Sequence, residues 1–414
     1  MDIIIGAGIS GLGYAAATLH DYTIIEREDR VGGYCKTFYE GDYVWDYSGH
    51  FFHFQHPKIK DYVMEQIAEE EMLSVQKKTQ IIYNGRHIDF PFQMNIHQLE
   101  KEEFIDCLYD LFNIPEDADK NITSFKTMLY AKFGRGIAEK FLIPYNSKLY
   151  ATDLDKLDVD AMGRFFPYAD KEQIIRNFRN TTNKSYNATF LYPKRGCVRV
   201  VESVASHVDS SKIFFNENCL KIDTEHQIVH TDKRDIHYDH LISSMPFTHL
   251  MDACGIEYDK EIYSCNKVMV FNLGFDSKGP ETQNNWIYFP NTNLVFYRVG
   301  FYDNILQQNK MSLYVEIGFN HSEKIPDEQE LLQRTMEDLR KVGIVTTQKL
   351  IAHNTLVMDP AYVHITKSSE QDKQDKMEQL ASKNIYSIGR YGAWKYCSLE
   401  DNLFDAFELA KRIG

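Results

Sequence analysis

Three glycines, Gly6, Gly8 and Gly11, lie between the apolar run Ile3-Ile4-Ile5 and a segment from Ser10 that reads as a helix. This spacing can hold a pyrophosphate. Gly6 permits a tight turn, and Gly8 lets backbone N–H groups approach phosphate oxygens. Gly11 lets the helix pack on the strand with its positive end toward the anion. A second apolar run, Tyr22-Thr23-Ile24-Ile25, ends on Glu26, near the spacing at which dinucleotide folds hold a ribose. The chain is therefore expected to bind a dinucleotide, and Glu26 would repel the 2'-phosphate of NADP.

Past Glu26 and Arg27, the run Arg30-Val31-Gly32-Gly33 resembles the second phosphate-contacting turn of FAD enzymes related to amine oxidases, a turn that NAD dehydrogenases lack. FAD becomes the expected cofactor. Farther on, Asp89-Phe90-Pro91-Phe92-Gln93 and residues 141–150 set flat rings beside amides, which suits a nucleobase. On the residues alone, Phe90 and Phe141 read first as core residues at element ends.

These segments resemble the UDP-galactopyranose mutase family, more the eukaryotic than the common bacterial type. The matching pieces are Gly49-His50, Phe90-Pro91-Phe92-Gln93, residues 141–150 and 187–196, Tyr288-Phe289-Pro290, Phe296-Tyr297-Arg298 and residues 389–396. They stand in the family order over nearly the whole chain. The resemblance implies a flavin-dependent mutase interconverting pyranose and furanose forms of a UDP-hexose, UDP-galactose first, through a covalent adduct of the sugar with N5 of the reduced flavin. Such an enzyme supplies galactofuranose for cell-surface polysaccharide.

The resemblance also implies site residues. Phe90 and Phe141 would sandwich the uracil, while Gln93, Asn146 and Tyr150 contact the uridine and Asn187 lies near the sugar. Arg164 and Arg298 would stand at the diphosphate and sugar, where bidentate guanidiniums suit phosphate oxygens. Tyr288, Tyr362 and Tyr396 would donate to the same diphosphate, and His50 would sit beside the flavin. The cofactor set is Gly6, Gly8, Ser10, Gly11, Glu26, Arg27, Gly32, Gly33, Gly49, Cys219, Gly389, Arg390, Asp401 and Asn402. The chain departs from the family at residues 196–200, where relatives carry more glycines, and at residues 397–402, where they carry a more amide-rich turn. The rival reading is an FAD-dependent oxidoreductase of the amine-oxidase or protoporphyrinogen-oxidase kind, against which paired arginines argue. A non-enzymatic flavin module would have no substrate cleft at the flavin.

An α/β fold must position these residues. The expected architecture is an FAD-binding Rossmann-like domain from residues 1–75, 196–260 and 380–414, a small helical domain at 97–180, and an antiparallel-sheet substrate domain from 76–96, 181–195 and 261–379. Strands are expected at 214–222, 237–244, 267–275, 294–299 and 312–318, with another entering the glycine turn at Gly389. Helical spacing of Leu99, Phe104, Cys107, Leu108 and Leu111 marks the second part. An amphipathic helix is expected at 323–343, a charged solvated face at 367–383, and a closing helix at 398–413 capped by Ser398. There is one glycine-rich nucleotide turn of this kind, so NADH or NADPH acting as transient reductant would have to enter the substrate cleft.

Composition narrows the function classes. A net charge of -14 argues against nucleic acid. No apolar run approaches the roughly 20 residues of a membrane span, and with a strand starting at Ile3 the expected location is the cytoplasm. A homo-oligomer is compatible with these properties. Seven cysteines without a CxxC pair are expected to be reduced and mostly structural. His50, His53 and His56 lack a supporting Cys or carboxylate cluster, so no metal is expected.

Overall fold

The computed structural model describes residues 1–179 and 188–414. Ile3, Ile4 and Ile5 are buried on both faces, as a central parallel strand requires. Strand β1 (Asp2–Ile5) pairs in parallel with His240–Ser243 on one side and with β2 (Tyr22–Ile25) on the other, Ile4 standing opposite Ile242 and Ile24. Ile385–Ser387 and Ile213–Phe214 complete the two edges. Segments far apart in the chain thus build one parallel sheet.

The turn after β1 leads into helix α1 (Ile9–Ala17). A Cβ on Gly11 would stand 2.0 Å from the Gly6 carbonyl oxygen, and one on Gly13 would stand 2.9 Å from Leu403 Cδ2. Leu403 belongs to the closing helix Leu399–Ile413, which opens with a reciprocal capping box between Ser398 and Asp401, as expected from the sequence. Small residues therefore let one helix rest closely on both the strand and its neighbour.

A second sheet has the order Leu350–Met358, Asn266–Phe275, Ser312–Asn320, Arg298–Phe301, Trp286–Tyr288, Thr79–Tyr83 and Arg86–Asp89. It is antiparallel except where Trp286–Tyr288 meets Thr79–Tyr83. Leu313, Val315 and Ile317 pack into the core shared with Leu331, Met336 and Leu339 of helix Glu328–Lys341. Tyr314 belongs to the core on the other face. This alternation places Glu316 on the Tyr314 face, and register sets it directly opposite Arg298.

The helical part contains Lys101–Phe112, Phe125–Ile137, Ile143–Tyr150 and Lys171–Asn177. A π-helical turn, Ala138–Leu142, joins the second to the third. No helix among the described residues is long and apolar enough to cross a membrane.

Four expected elements differ in detail. The strand expected at 237–244 is reduced to His240–Ser243, and His237 ends Asp235–His237 in another sheet. Residues 214–222 split into Ile213–Phe214 and Cys219–Asp223, which lie in different sheets. The backbone between them turns through Asn216 at φ 54°, and Glu217 N–H donates to the Glu26 carbonyl. The strand expected at 294–299 begins only at Arg298, because Lys148 Nζ occupies the carbonyls of Phe289, Asn291 and Phe296. The helix expected at 323–343 starts at Glu328, where the Asp327 carboxylate accepts from Gln329 and Glu330 N–H.

The Gly6–Gly11 contact leaves no room for a side chain. Gly11→Val is expected to lower unfolding free energy by about 1–3 kcal/mol, the usual cost of overpacking, and to release the cofactor. Urea denaturation and flavin absorbance check both.

Candidate active site

A cavity of about 770 Å³ runs from the glycine turn at the end of β1 to Arg298 and Glu316 of the antiparallel sheet. At its first end, Gly6, Gly8 and Ser10 line the wall with Glu26, Arg27, Gly32 and Gly33. A Cβ on Gly8 would meet nothing within 4 Å, and one on Gly33 would meet Gly8 Cα at 3.7 Å. The two glycine turns therefore face each other at the N-terminus of α1, a cradle for a pyrophosphate. Gly11 lies beneath the turn, in the helix packing described above.

Glu26 does more than its position after β2 indicates. One carboxylate oxygen accepts from Ala7 N–H at 2.7 Å and the other from Glu28 N–H at 3.0 Å. It therefore ties the end of β2 to the glycine turn while lining the cavity. Cys219 lines the cavity nearby, and burial pushes its thiol up to about 11.

Gly49, His50, Gly389, Arg390 and Asn402 line the middle of the cavity. His50 Nδ1 lies 3.2 Å from the Ser48 carbonyl. Gly389 adopts φ 86°, and a Cβ there would stand 2.6 Å from Ser10 Oγ, so this third glycine closes against the first helical turn. Arg390 lies over the rings of Tyr396 and Tyr362, with its guanidinium carbon 4.5 and 5.3 Å from their centroids. Tyr362 and Tyr396 themselves stack at 5.9 Å. Burial, reinforced by Tyr396, pushes the Tyr362 phenol up, so that it is a neutral donor at physiological pH.

At the far end Arg298 and Glu316 form a bidentate pair: Nε donates to Oε2 at 2.6 Å and Nη2 to Oε1 at 2.5 Å. Glu316 is 1% exposed and also accepts from Ser48 Oγ. Burial opposes the Arg298 charge, but Glu316 outweighs it and holds the guanidinium protonated. Arg298 Nη1 is uncommitted among the described residues.

The expected uridine residues lie beside the cavity in a wall of rings. Phe90 meets Tyr288 at 5.1 Å, Tyr288 meets Tyr145 at 5.1 Å, and Tyr145 stacks on Phe141 at 5.2 Å. The sequence has Phe90 and Phe141 facing one base; in the structure Tyr288 and Tyr145 link them, because these rings bury better against each other than against solvent. Tyr145 also meets Tyr297 at 6.1 Å, and Tyr297 lines the cavity. Tyr150 meets Tyr362 at 6.0 Å.

Gln93 and Asn146 are buried, with Nε2 of the first donating to the Pro167 carbonyl and Nδ2 of the second to the Leu142 carbonyl. Gln93 Oε1, Asn146 Oδ1 and the Tyr150 phenol are buried without a partner among the described residues.

Two expected residues are paired with each other. Arg164 Nη2 donates to both carboxylate oxygens of Asp401 at 2.8 Å, and its side chain is 44% exposed. Arg164 is thus not beside Arg298 in the cavity wall, and Asp401 accepts from Ser398 N–H in the capping box as well as pairing with Arg164. The acidic first turn of the closing helix attracts the guanidinium. Asn187 lies outside the described residues.

Glu316, Ser48 and Tyr297 were not read from the sequence as site residues. A signal existed for the first, since Glu316 interrupts the otherwise apolar run Leu313-Tyr314-Val315-Glu316-Ile317.

A parallel sheet delivering two glycine turns to a helix N-terminus, with the cavity continuing onto an antiparallel sheet, defines a dinucleotide-binding enzyme fold. The profile of flavin containing amine oxidoreductases matches residues 13–401, and the chain belongs to that family. Its cofactor is FAD, and the facing glycine turns, the open Gly8 position and the carboxylate of Glu26 fit that dinucleotide.

Coproporphyrinogen III oxidase of Staphylococcus aureus (strain NCTC 8325 / PS 47) is 23% identical over 321 residues, 67% of this chain and 68% of that protein. The crystal structure of a reduced UDP-galactopyranose mutase superposes with a TM-score of 0.90 at 23% identity, covering 100% of this chain and 93% of the other. Cyclohexylamine oxidase of Brevibacterium oxydans IH-35A superposes with a TM-score of 0.72 at 13% identity, covering 100% and 98%. At these identities the superpositions show a common fold.

The two ion pairs should separate in a stability measurement. Glu316→Ala leaves the half-buried Arg298 unpaired and is expected to cost about 1.5–3 kcal/mol, whereas the half-exposed Arg164→Ala costs about 0–1 kcal/mol. Urea unfolding of the two variants checks the difference.

Proposed function

We propose that this chain is an FAD-dependent mutase interconverting the pyranose and furanose forms of a UDP-hexose, with UDP-galactose the first candidate. The observation that carries this reading is the half-buried Arg298 guanidinium, braced by Glu316 and lining the flavin cavity together with Tyr362 and Tyr396. Breaking the bond between an anomeric carbon and a diphosphate builds negative charge on the leaving oxygen. A fixed guanidinium and phenol donors stabilise that charge without reorganising.

The reduced flavin, when bound, supplies the nucleophile for the anomeric carbon. Residues of 1–75, 196–260 and 380–414 hold the cofactor in this reading, while 97–180 and the antiparallel sheet hold the substrate. The unpartnered oxygens of Gln93 and Asn146 and the Tyr150 phenol support a polar ligand edge nearby, since an unpaired buried group costs about 1–3 kcal/mol. For Arg164 to join the diphosphate, it must leave Asp401. His50 would hydrogen-bond the flavin. The full-length likeness to a reduced UDP-galactopyranose mutase supports the same reading.

The S. aureus relative favours a second reading, the oxidation of a porphyrinogen by the same flavin. Arg298 would then hold a carboxylate of the substrate.

Dithionite-reduced protein incubated with UDP-, dTDP- and GDP-hexoses is expected to yield a furanose product from the UDP sugar, resolved by chromatography. No conversion of any sugar, together with porphyrinogen-driven turnover in air, would overturn the mutase reading. Arg298→Ala is expected to reduce mutase turnover by about 10²–10³-fold while the yellow flavin remains bound; loss of flavin alone would place Arg298 in the wrong role.

A further inference from the structure

Away from the flavin cavity, three side chains able to ligate a metal converge on one point. Asp2 opens β1, and His240 opens the neighbouring parallel strand His240–Ser243 as its register partner. His20 lies in the turn between α1 and β2. Gly6 follows the last residue of β1, so this cluster stands at the opposite end of the strand from the glycine turn. His20 Nδ1 lies 3.0 Å from Asp2 Oδ2 and 3.3 Å from Oδ1, and His240 Nδ1 lies 3.0 Å from Oδ1. The three ligating atoms all lie within 4.8 Å of one another. With bonds of about 2.0–2.1 Å, neighbouring ligand atoms of a tetrahedral ion are about 3.3 Å apart, so these side chains need only a small adjustment to share one.

The charge balance asks for a cation. The Asp2 side chain is 1% exposed, and a carboxylate out of water needs a positive partner. Among the described residues no lysine or arginine meets it: the Met1 ammonium pairs with Asp239, and Lys212 with Asp21. Its ionic partners are the two histidines, and an imidazole, unlike an ammonium or a guanidinium, carries no permanent charge. Tyr14 Oη donates to Asp2 Oδ2 and accepts from Thr18 Oγ1 at 3.5 Å, the kind of outer hydrogen bond that orients a ligating carboxylate. His20 and His240 are 31% and 24% exposed, which leaves an ion a way in and water a place beside it. Cys265, His321 and Asp359 form a second group of this kind, but there the Lys267 ammonium stands 3.9 Å from the carboxylate and already answers its charge.

We propose that Asp2, His20 and His240 bind a divalent transition-metal ion, zinc first, which ties the start of β1 to the strand beside it and to the turn before β2. Two imidazoles and one carboxylate suit zinc, whereas magnesium and calcium take shells of oxygen. Each imidazole ligates through Nδ1 as the neutral ring with its proton on Nε2, so bonds to the ion replace the hydrogen bonds to Asp2, and water fills the fourth position. The ion neutralises the buried carboxylate and cross-links residues as far apart as 238 positions. No spacing in the chain announces the site, because strand register and the turn after α1 bring the three together. Its role is structural, bracing the strand that carries Gly6 at its other end, and it stands whether or not the flavin serves a mutase.

Untagged holoprotein, freed of metal with a chelator, tests the site when titrated with zinc chloride by calorimetry and with cobalt(II) by difference absorbance. The wild type is expected to take up one zinc ion at this site, and its urea midpoint should rise as zinc is added, since the ion binds the folded chain. The first equivalent of cobalt should give visible d–d bands without a strong sulfur-to-cobalt charge-transfer band. No zinc uptake, uptake without a rise in the urea midpoint, or a charge-transfer band with the first equivalent, which would place the ion at Cys265, would each overturn the proposal. His20→Ala and His240→Ala are each expected to weaken zinc binding by more than about 10-fold, the lower end of what even the loss of an outer hydrogen bond costs, while the flavin stays bound. His321→Ala should bind zinc as the wild type does. Affinity kept within about 10-fold in either variant of the first pair, or lost in His321→Ala, would refute the site. If His20→Ala or His240→Ala does not fold, the wild-type cobalt spectrum and His321→Ala decide the question.

Discussion

The site is organised around one ion pair, the half-buried Arg298 with the buried Glu316. Two ions out of water carry a desolvation penalty that their attraction does not always repay, so such a pair is weak evidence of stability selection. Its value here is geometric. Glu316 takes both Nε and Nη2, which fixes the plane of the guanidinium, and Ser48 fixes Glu316 in turn. A charge that cannot swing away is thereby presented to the cavity.

Register alone brings the pair together. Arg298 and Glu316 are direct partners on adjacent antiparallel strands, and a slip of one residue would send Glu316 to the face occupied by Val315 and Ile317. The apolar residues of that face, packed under helix Glu328–Lys341, hold the register. Hydrophobic packing on one side of the sheet thus determines the electrostatics on the other. The aromatic cluster extends the same principle: Phe90, Tyr288, Tyr145 and Phe141 are sequence-distant rings that pack on one another behind Tyr297, which lines the cavity.

The parallel sheet and its glycine turns were largely legible in the chain, because their requirements are local. A buried strand, a residue at positive φ, a close helix approach and a carboxylate after the second strand each need a particular residue type within a short span. The Ser398 cap was legible for the same reason. The 214–222 strand was not, since its division depends on Glu217 pairing with the Glu26 backbone from a remote segment. Nor was the late start of the Arg298–Phe301 strand, which follows from a lysine on a helix claiming three loop carbonyls.

The glycines and Glu26 by themselves marked a dinucleotide fold, because short-range backbone geometry dictates those residue types, and the resemblance of Arg30-Val31-Gly32-Gly33 to FAD enzymes named the cofactor that the family match bears out. The sequence also named the glycines and several charged and aromatic residues of the cavity wall, among them His50, Arg298, Tyr362, Arg390 and Tyr396. Only the tertiary structure decided which charges meet: Arg298 with Glu316, and Arg164 with Asp401. Such pairings depend on strand register and on the packing of elements separated by long stretches of chain. No local pattern of residue types encodes them.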